Sequence, residues 1–288
     1  MRTFARHAVL ALAAALVLVP FAWMVYTSAL TQRESVAGFA SREIRSPTEQ
    51  GGRIKIVADN YRTALTRAPF ARYFLNTILV TAIITVSVVV TSVLAGFAFG
   101  MLEFPAKKWI FLCFVATLMI PFEVTLLPNY ILVSRIKQAM TDFLGLEAPA
   151  QYLALVLPWL TSAFGVFLMR QHFASLERDY YDAARLDGCG HLRFLWSVAV
   201  PMLKPAVVTV ALFVFVGSWN AFLWPLVITD NSSYRVIQNG LYSFIAAEGI
   251  NYNQLMAAAT VCMLPTVAVF LIAQRTFVEG VGAGGVKM

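Results

Sequence analysis

Long apolar runs restrict the possible folds of this chain more than any other feature of its sequence. Several of them reach about 20 residues, the length at which an α-helix crosses roughly 30 Å of hydrocarbon. The 288 residues are 59% hydrophobic and only 13% charged, which is far more apolar surface than one water-soluble core needs. We therefore predict an all-α, polytopic membrane protein with six transmembrane helices.

The predicted spans divide the chain into three parts. They cover, approximately, residues 8–30, 74–102, 109–133, 152–173, 206–228 and 255–277. Residues 1–30 are expected to form an N-terminal transmembrane helix, and 74–288 a core of five spans with short polar helices near 176–200. The first span is too long for the apolar part of a secretory signal and no Ala-x-Ala cleavage site follows it, so we interpret it as an uncleaved anchor.

Residues 31–73 are predicted to form an extracytoplasmic loop. The segment mixes charged residues with glycine and proline, and residues 53–57 alternate basic and apolar side chains, a pattern typical of a short β-strand. Two roles stay open for this loop: docking of an external partner, or a solvated cap over the spans.

The net charge of +7 does not indicate nucleic acid as a partner. The basic residues lie between the apolar spans instead of along one amphipathic face, and contact with anionic membrane lipid accounts for them. The 22 lysines and arginines divide evenly between the two sides of the membrane, so the positive-inside rule does not decide the orientation. The three cysteines include no Cys-x-x-Cys pair, and we expect neither a disulfide nor a metal site.

One polar segment interrupts the apolar pattern between the fourth and fifth predicted spans. Residues 178–186 are good helix formers, with acidic residues before basic ones as the helix dipole favours. Tyr181, Ala184 and Arg185 fall on one side of this predicted helix because they are three and four positions apart.

Gly188 and Gly190 follow and predict the end of the helix. A second helical run over 191–200 carries Phe194 and Leu195 on one face. A short helix with small alanines and a flanking aromatic suits a groove of another protein. A helix lying on lipid is the alternative.

The spacing in this segment resembles the cytoplasmic EAA loop in permease subunits of ABC importers. That pattern is Glu-Ala-Ala, three residues, a glycine, nine residues and then Ile-x-Leu-Pro. In this sequence Ala183, Ala184, Gly188 and Pro201 fall in register, and Asp182, one methylene shorter, takes the place of the glutamate. The resemblance implies the ABC importer type I permease fold, with this loop on the cytoplasmic side.

Other segments resemble the carbohydrate-importer branch of the same family, which includes the second permease subunit of the maltose-type system. They lie at 76–77, 119–123, 128–130, 218–226, 256–259, 264–265 and 274–287. The similarity covers nearly everything after Asn60. It implies a permease subunit of an ATP-driven, binding-protein-dependent importer of a sugar or oligosaccharide, coupled to ATPase subunits through the 178–201 loop.

The resemblance also implies the partners of such a subunit. They are a second, similar permease, two ATPase subunits, an extracytoplasmic sugar-binding protein and the lipid of a bacterial cytoplasmic membrane. A cytoplasmic coupling loop and an even number of spans place both termini in the cytoplasm. The chain itself is expected to hold no cofactor, because the partner ATPase subunits bind ATP and Mg. The coupling residues implied by the match are Tyr181, Asp182, Ala183, Ala184, Arg185, Asp187 and Gly188.

Polar and aromatic residues inside the predicted spans indicate the substrate path, because unpaired polar groups are costly in lipid. Glu123 lies between two prolines, where irregular helix is tolerated only beside a cavity or protein, and pairing with Arg135 is the alternative. The flat apolar faces of tryptophans suit sugar rings, and an amide suits their hydroxyl groups. Tryptophans also anchor spans at the membrane interface, which is the alternative. The candidates are Asn220, Trp219, Trp224, Glu123, Asn129 and Asn76.

Other functions fit the sequence less well. A membrane-embedded enzyme needs a cluster of acids, bases or metal ligands within the spans, and only Glu123 is available there. The three histidines are scattered and no Walker A motif occurs, so we predict no catalytic site. A glycerol-phosphate-type solute is the alternative within transport; a buried lysine or arginine would indicate it, and we expect none in the spans. A non-transporting membrane scaffold is a further alternative.

Overall fold

The computed structural model describes residues 2–37, 52–246 and 249–284. Helices dominate these ranges, and a short antiparallel hairpin pairs β1 (Ile245–Ala246) with β2 (Gly249–Ile250). The α-helices are α1 (Arg2–Ser28), α2 (Gln32–Ala37), α3 (Gly52–Thr66), α4 (Phe70–Met101), α5 (Lys107–Ala116), α6 (Phe122–Leu144), α7 (Glu147–Val156), α8 (Ala163–Ala174), α9 (Arg178–Leu186), α10 (His191–Phe194), α11 (Val200–Met202), α12 (Lys204–Trp219), α13 (Leu223–Ile228), α14 (Ile237–Tyr242) and α15 (Tyr252–Gly284). The predicted all-α class is confirmed.

Three helical stretches in the described ranges are long and apolar enough to cross a membrane alone: Arg6–Ser28 in α1, the whole of α4, and Tyr252–Thr276 in α15. Three bent helix pairs pass the same test together, with bends of 100°, 52° and 84°. They are α5 with α6, α7 with α8, and the run His191–Met202 with α12. Counting each pair as one span gives up to six spans, in agreement with the predicted number.

Two of the predicted spans break where the backbone cannot continue as one helix. The span predicted over 109–133 is interrupted between α5 and α6. Pro121, the residue immediately before α6, has an extended conformation and no N–H to donate. The span predicted over 152–173 breaks between α7 and α8, where the Ser162 hydroxyl accepts the Gly165 N–H at 3.2 Å and so caps α8.

The span predicted over 206–228 is also not one helix. Its first helix, α12, begins two residues earlier, at Lys204. Pro205 lies in the first turn, where the backbone N–H that a proline lacks would have no partner within the helix. It ends at Trp219 and resumes, after Asn220 to Phe222, as α13.

The structure divides into two compact units. The first comprises residues 1–74 and 236–265, and its described part contains α1 to α3, α14, the hairpin and the adjoining ends of α4 and α15. Its small apolar core is formed by Ala64, Phe70, Ile237, Phe244, Ala257, Ala258 and Cys262.

Residues 53–57, predicted as a strand, belong to helix α3 instead. Asn60 and Ala64 are buried while Arg62 between them is exposed, which is the period of a helix and not of a strand. The buried Asn60 amide also binds the end of α1, and the alternation of basic and apolar residues does not encode that tertiary contact. The part of the predicted loop over 38–51 lies outside the described residues.

The second unit comprises residues 75–235 and 266–288. Its core lies between α4, α6, α7, α8, α12 and α13 and includes fully buried side chains of Met169, Phe173 and Phe194. This unit carries the candidate site.

The segment after α9 is helical throughout, as predicted over 191–200. Helix α10 continues into a π-helical turn, Leu195–Ala199, and then into α11. A π turn accommodates one residue more than an α turn. Phe194, Leu195 and Ala199 are all fully buried in this arrangement.

Candidate functional site

Helix α9 is an exposed polar helix that touches the core of its unit on one side only. Tyr181 and Ala184 are half-buried and pack against that core, whereas the residues around them are exposed. The Tyr181 ring meets the edge of Phe194 at a centroid distance of 5.1 Å and that of Phe97, on α4, at 6.3 Å. These contacts leave the other side of α9 available to a partner.

A hydrogen bond joins α9 to the helix that follows it. The Tyr181 hydroxyl bonds to Nδ1 of His191, the first residue of α10, and the two rings stack at 5.9 Å between centroids. This bond fixes the angle between two short helices that share few other contacts.

The C-terminal end of α9 is set by backbone geometry. Gly188 has φ +78°, the left-handed region that glycine adopts without a steric penalty. The Cys189 N–H bonds to Ala184 O at 2.9 Å and the Gly188 N–H to Arg185 O at 3.1 Å. These are the two hydrogen bonds of a Schellman motif, so Gly188 ends the helix as predicted. Gly190, in contrast, has φ −73° and lies at the start of α10.

The N-terminal end of α9 is held by charge. Arg178 donates to Glu103 Oε1 at 2.6 Å, and Glu103 follows the end of α4. Lys107 Nζ lies 3.7 Å from the same carboxylate oxygen. The hydrogen bond from Arg178 and the charge of Lys107 lower the pKa of Glu103, so the carboxylate stays ionised at neutral pH. A cleft of about 280 Å³ opens beside this attachment and is lined by Met101, Leu102, Glu103, Arg178, Tyr181, Asp182 and His191.

Two glycines connect this site to the spans. A Cβ atom placed on Gly96 would lie 2.5 Å from Met169 Cβ, and one on Gly100 would lie 2.6 Å from Phe173 Cβ. Helices α4 and α8 therefore approach more closely than any larger residue would permit. The spacing Gly-x-x-x-Gly is typical of packed membrane helices and was available in the sequence, but it was missed. Because α8 ends only a few residues before Arg178, this contact ties α9 to α4.

The structure places the remaining predicted coupling residues on the exposed side of α9 and its end. Asp182, Ala183, Arg185 and Asp187 are all exposed. The Arg185 guanidinium donates to Cys189 O at 3.2 Å, which adds to the fixed end of the helix. The exposed members of the predicted set thus lie together on α9 and its end, whereas Tyr181 and Ala184 face the core. Contact of this surface with an ATPase stays a prediction.

Asn220 ends α12 at the break in the fifth span. It is exposed, and its Nδ2 donates to Val216 O at 2.9 Å. The preceding residue, Trp219, is buried and stacks on Phe215 with 5.6 Å between ring centroids. Of these two neighbours, the amide is therefore the group that a solute can reach.

Two other path candidates have protein partners on every side. Trp224 is 2% exposed, and its Nε1 donates to Ala154 O at 3.2 Å. Asn76 is buried as well. Its Nδ2 donates to the carbonyl oxygens of Ser233 and Arg235, both at 2.9 Å, and its Oδ1 accepts the Tyr152 hydroxyl at 2.7 Å. In this structure both residues join elements of the fold.

Glu123 and Asn129 lie on α6. Glu123 is exposed in the first turn of the helix, where an acidic side chain is favoured by the helix dipole. Within the described ranges it forms no ion pair, with Arg135 or any other cation. Its neighbour Phe122 contacts the Trp224 ring at 6.3 Å, so the breaks of the third and fifth spans meet there. Asn129 is half-buried.

Comparison with known proteins identifies the family. Residues 92–282 match the binding-protein-dependent transport system inner membrane component family. The chain belongs to this family. It is the permease subunit of a binding-protein-dependent transport system, as the resemblance of the coupling loop implied.

Similar permeases handle different solutes. UgpE of Yersinia enterocolitica, an sn-glycerol-3-phosphate transport system permease protein, is 34% identical over 74% of this chain and 73% of its own length. AraQ of Halalkalibacterium halodurans, an arabinooligosaccharides transport system permease protein, is 30% identical over 81% and 80%. A putative ABC transporter permease protein, ORF2, of Caldicellulosiruptor sp. (strain Rt8B.4) is 30% identical over 93% and 91%.

A solved structure shares the fold of this permease. The crystal structure of a bacterial ABC transporter involved in the import of the acidic polysaccharide alginate contains a chain that matches with a TM-score of 0.74. The match covers 95% of both chains at 20% identity. The predicted ABC importer permease fold is confirmed.

The permease contains mostly or partly buried cations that the sequence did not lead us to expect. Lys137 lies on α6, beyond the predicted end of the third span, and its side chain is only 11% exposed. It donates to Ile228 O at 3.0 Å and pairs with Asp230, just after α13. Arg170, within the predicted fourth span, stacks its guanidinium on Phe111 at 4.5 Å. Arg170 is only half-buried, so it is not the buried cation that would have indicated a phosphate solute, and its aliphatic stem and ring partner make its partial burial tolerable.

In the part of the chain that the structure describes, no group of three or more His, Cys, Asp or Glu residues could hold a metal ion. Cys113, Cys189 and Cys262 form no disulfide within those residues.

Proposed function

We propose that this permease forms half of the path for a sugar or oligosaccharide in an ATP-driven importer and receives the energy of ATP hydrolysis through α9. The observation that carries the proposal is the construction of that helix. It exposes a polar side, it is fixed at both ends and it rests on α4 and α10 through Tyr181.

The proposed complex contains two ATPase subunits beneath the coupling helices, a second permease and an extracytoplasmic sugar-binding protein. The α9 helix and its neighbours form the cytoplasmic face, and both termini lie on that side of a bacterial inner membrane. Helix α1 is proposed to contact lipid or the second permease, because none of the apolar stretch of this span is buried within the chain.

Energy enters as a preference of the ATPase pair for one arrangement of the permeases. ATP and Mg bind to the ATPases, whose closure shifts the population towards that arrangement. A loosely attached helix would absorb the displacement. Helix α9 instead transmits it, because Arg178, Tyr181 and the Gly188 turn fix it against α4 and α10. The permease itself contributes no catalytic group to hydrolysis.

The solute is proposed to be uncharged. The UgpE relative supports the alternative, a glycerol-phosphate-type solute, which would need a cation in the path. Lys137, which binds Ile228 O at the end of α13, is mostly buried and is already neutralised by Asp230. Asn220, with both a donor and an acceptor, suits a sugar hydroxyl instead.

The test is the permease assembled with its partner subunits in proteoliposomes. We expect the binding protein loaded with an oligosaccharide to stimulate ATP hydrolysis and solute uptake, and the same protein offered glycerol 3-phosphate to do neither. Stimulation by glycerol 3-phosphate alone would favour the alternative solute. Unchanged uptake in cells that lack this chain would identify it as a scaffold.

A further inference from the structure

Helix α3 carries an exposed apolar strip that neither the coupling site nor the substrate path uses. Ile54, Ala58 and Leu65 recur at i, i+4 and i+11, which places them on one side of the helix, and Tyr61 between them is half-buried against the core of its unit. Ile54 is 86% exposed and Leu65 is 42% exposed. An apolar strip in contact with water is unfavourable, so some apolar phase or surface has to cover it.

Basic side chains border this strip. Lys55 and Arg62 lie two turns apart along one edge of it, and both are exposed. Asp59 is the only acidic residue between positions 52 and 72, so the covering partner has to be anionic as well as apolar.

Contacts with α1 set the level of α3 relative to the membrane. Asn60 Nδ2 donates to Ser28 O at 2.9 Å and to Leu30 O at 2.8 Å. The Tyr61 and Ser28 hydroxyls lie 3.1 Å apart. Ser28 is the last residue of the Arg6–Ser28 span. The middle of α3 therefore lies where the first span leaves the hydrocarbon.

The other end of α3 is at the same level. Only Arg67, Ala68 and Pro69 separate it from α4, which is itself long and apolar enough to be a span. A helix of 15 residues extends about 22 Å at 1.5 Å per residue. It therefore runs along the membrane surface between two spans, within reach of several lipid headgroups.

We propose that α3 is an interfacial helix that binds anionic phospholipid. The strip of Ile54, Ala58 and Leu65 enters the region where headgroups meet acyl chains, and Lys55 and Arg62 contact the lipid phosphates. This occupant supplies both an apolar phase and negative charge at the level where the span contacts place the helix. It also explains the excess of basic residues in the predicted extracytoplasmic segment.

The experiment uses the permease assembled with its partner subunits in nanodiscs of phosphatidylcholine, with or without phosphatidylglycerol. An environment-sensitive fluorophore is attached to Ile54→Cys after Cys113 and Cys189 are replaced by serine. The matched control is the same label at Thr63→Cys, an exposed position on the opposite side of α3. We expect lipid-borne quenchers near the headgroup to quench the label at 54, and aqueous iodide to quench the label at 63.

The charge is tested separately with Lys55→Gln/Arg62→Gln. The label at 54 should be quenched more strongly by phosphatidylglycerol than by phosphatidylcholine carrying the same quencher, and this variant should lose the preference. The expected loss is about fivefold in relative lipid affinity per basic residue, the factor that corresponds to about 1 kcal/mol. Lys55→Arg/Arg62→Lys, which keeps the charge, should retain it.

Three results would overturn the proposal. Quenching of the label at 54 by iodide and not by lipid would mean that α3 is a solvated cap. Protection from both quenchers would mean that a protein partner covers the strip. Equal quenching by the two lipids in the unmodified sequence would mean that Lys55 and Arg62 give α3 no preference for anionic lipid.

Discussion

Two regions of this permease interrupt membrane helices in opposite ways. Around α9, the chain leaves the spans through close glycine contacts, an exposed ion pair and a left-handed glycine. Around α12 and α13, a span breaks at Asn220, whose own amide caps the helix by binding Val216 O, and a buried lysine pairs with Asp230. The first region is fixed by its glycines together with exposed side-chain contacts, and the second by buried or helix-capping polar side chains. Transmission of force suits the first arrangement, and contact with a hydrated solute suits the second.

Replacing a glycine by leucine should show the largest difference in stability between the two regions. Gly96→Leu places atoms where Met169 Cβ already lies 2.5 Å from the position of a Cβ, and it should cost more than the roughly 1–3 kcal/mol of ordinary overpacking. Gly217→Leu on α12, where nothing lies within 4 Å of an added Cβ, should be tolerated. The measurement is the yield of monodisperse complex and its melting temperature. Equal yields would mean that the α4–α8 contact is not tight.

Breaking an ion pair should show the second largest difference in stability between the two regions. Asp230→Ala leaves the mostly buried Lys137 with only the Ile228 carbonyl, and we expect a loss of roughly 1–3 kcal/mol in the free energy of unfolding. Glu103→Ala removes an exposed pair and should cost about 0–1 kcal/mol. Only the effect of Glu103→Ala should fade at high salt, because salt screens exposed charges. Thermal unfolding at two ionic strengths measures both, and equal losses at low salt would contradict the contrast.

At the end of α9, the prediction concerns coupling more than stability. Gly188→Val forces a side chain into the left-handed region at a cost of roughly 1–2 kcal/mol, so the helix should shift. The complex should then hydrolyse ATP without solute uptake, or assemble poorly. Gly190→Val is the control, because Gly190 has φ −73° and open space around it. Normal transport by Gly188→Val at normal expression would remove the coupling argument.

Asn220→Ala should have only a small effect on stability. Loss of the hydrogen bond to Val216 O should lower stability by about 0.5–1.5 kcal/mol, with assembly and basal ATP hydrolysis intact. Sugar-stimulated uptake should fall about tenfold, because roughly 1–3 kcal/mol is lost per unpaired sugar hydroxyl. If the variant fails to assemble, Asn220 packs helices; if it transports at the original rate, the path lies elsewhere.

The sequence predicts one region better than the other for a physical reason. Apolar length predicts the spans, and the helix formers of 178–186 followed by Gly188 predict α9, because both depend on local backbone geometry. The spacing from Asp182 to Pro201 contributed the resemblance to the coupling loop of a known family. The break at Asn220 and the burial of Trp224 depend on contacts with α6 and α7, which no local pattern encodes. The strand predicted at 53–57 failed for the same reason, since Asn60 binds the end of α1. The Gly96 and Gly100 spacing, by contrast, was readable.

The π-helical turn Leu195–Ala199 has a consequence for how the length of this loop can vary over evolutionary time. It stores one residue more than an α turn needs, so deleting a single residue there can be absorbed by conversion to regular helix. An insertion has no such reserve and would rotate everything downstream, including Pro201, by about 100° around the helix axis. Natural variants of this loop should therefore lose residues at this turn more readily than they gain them.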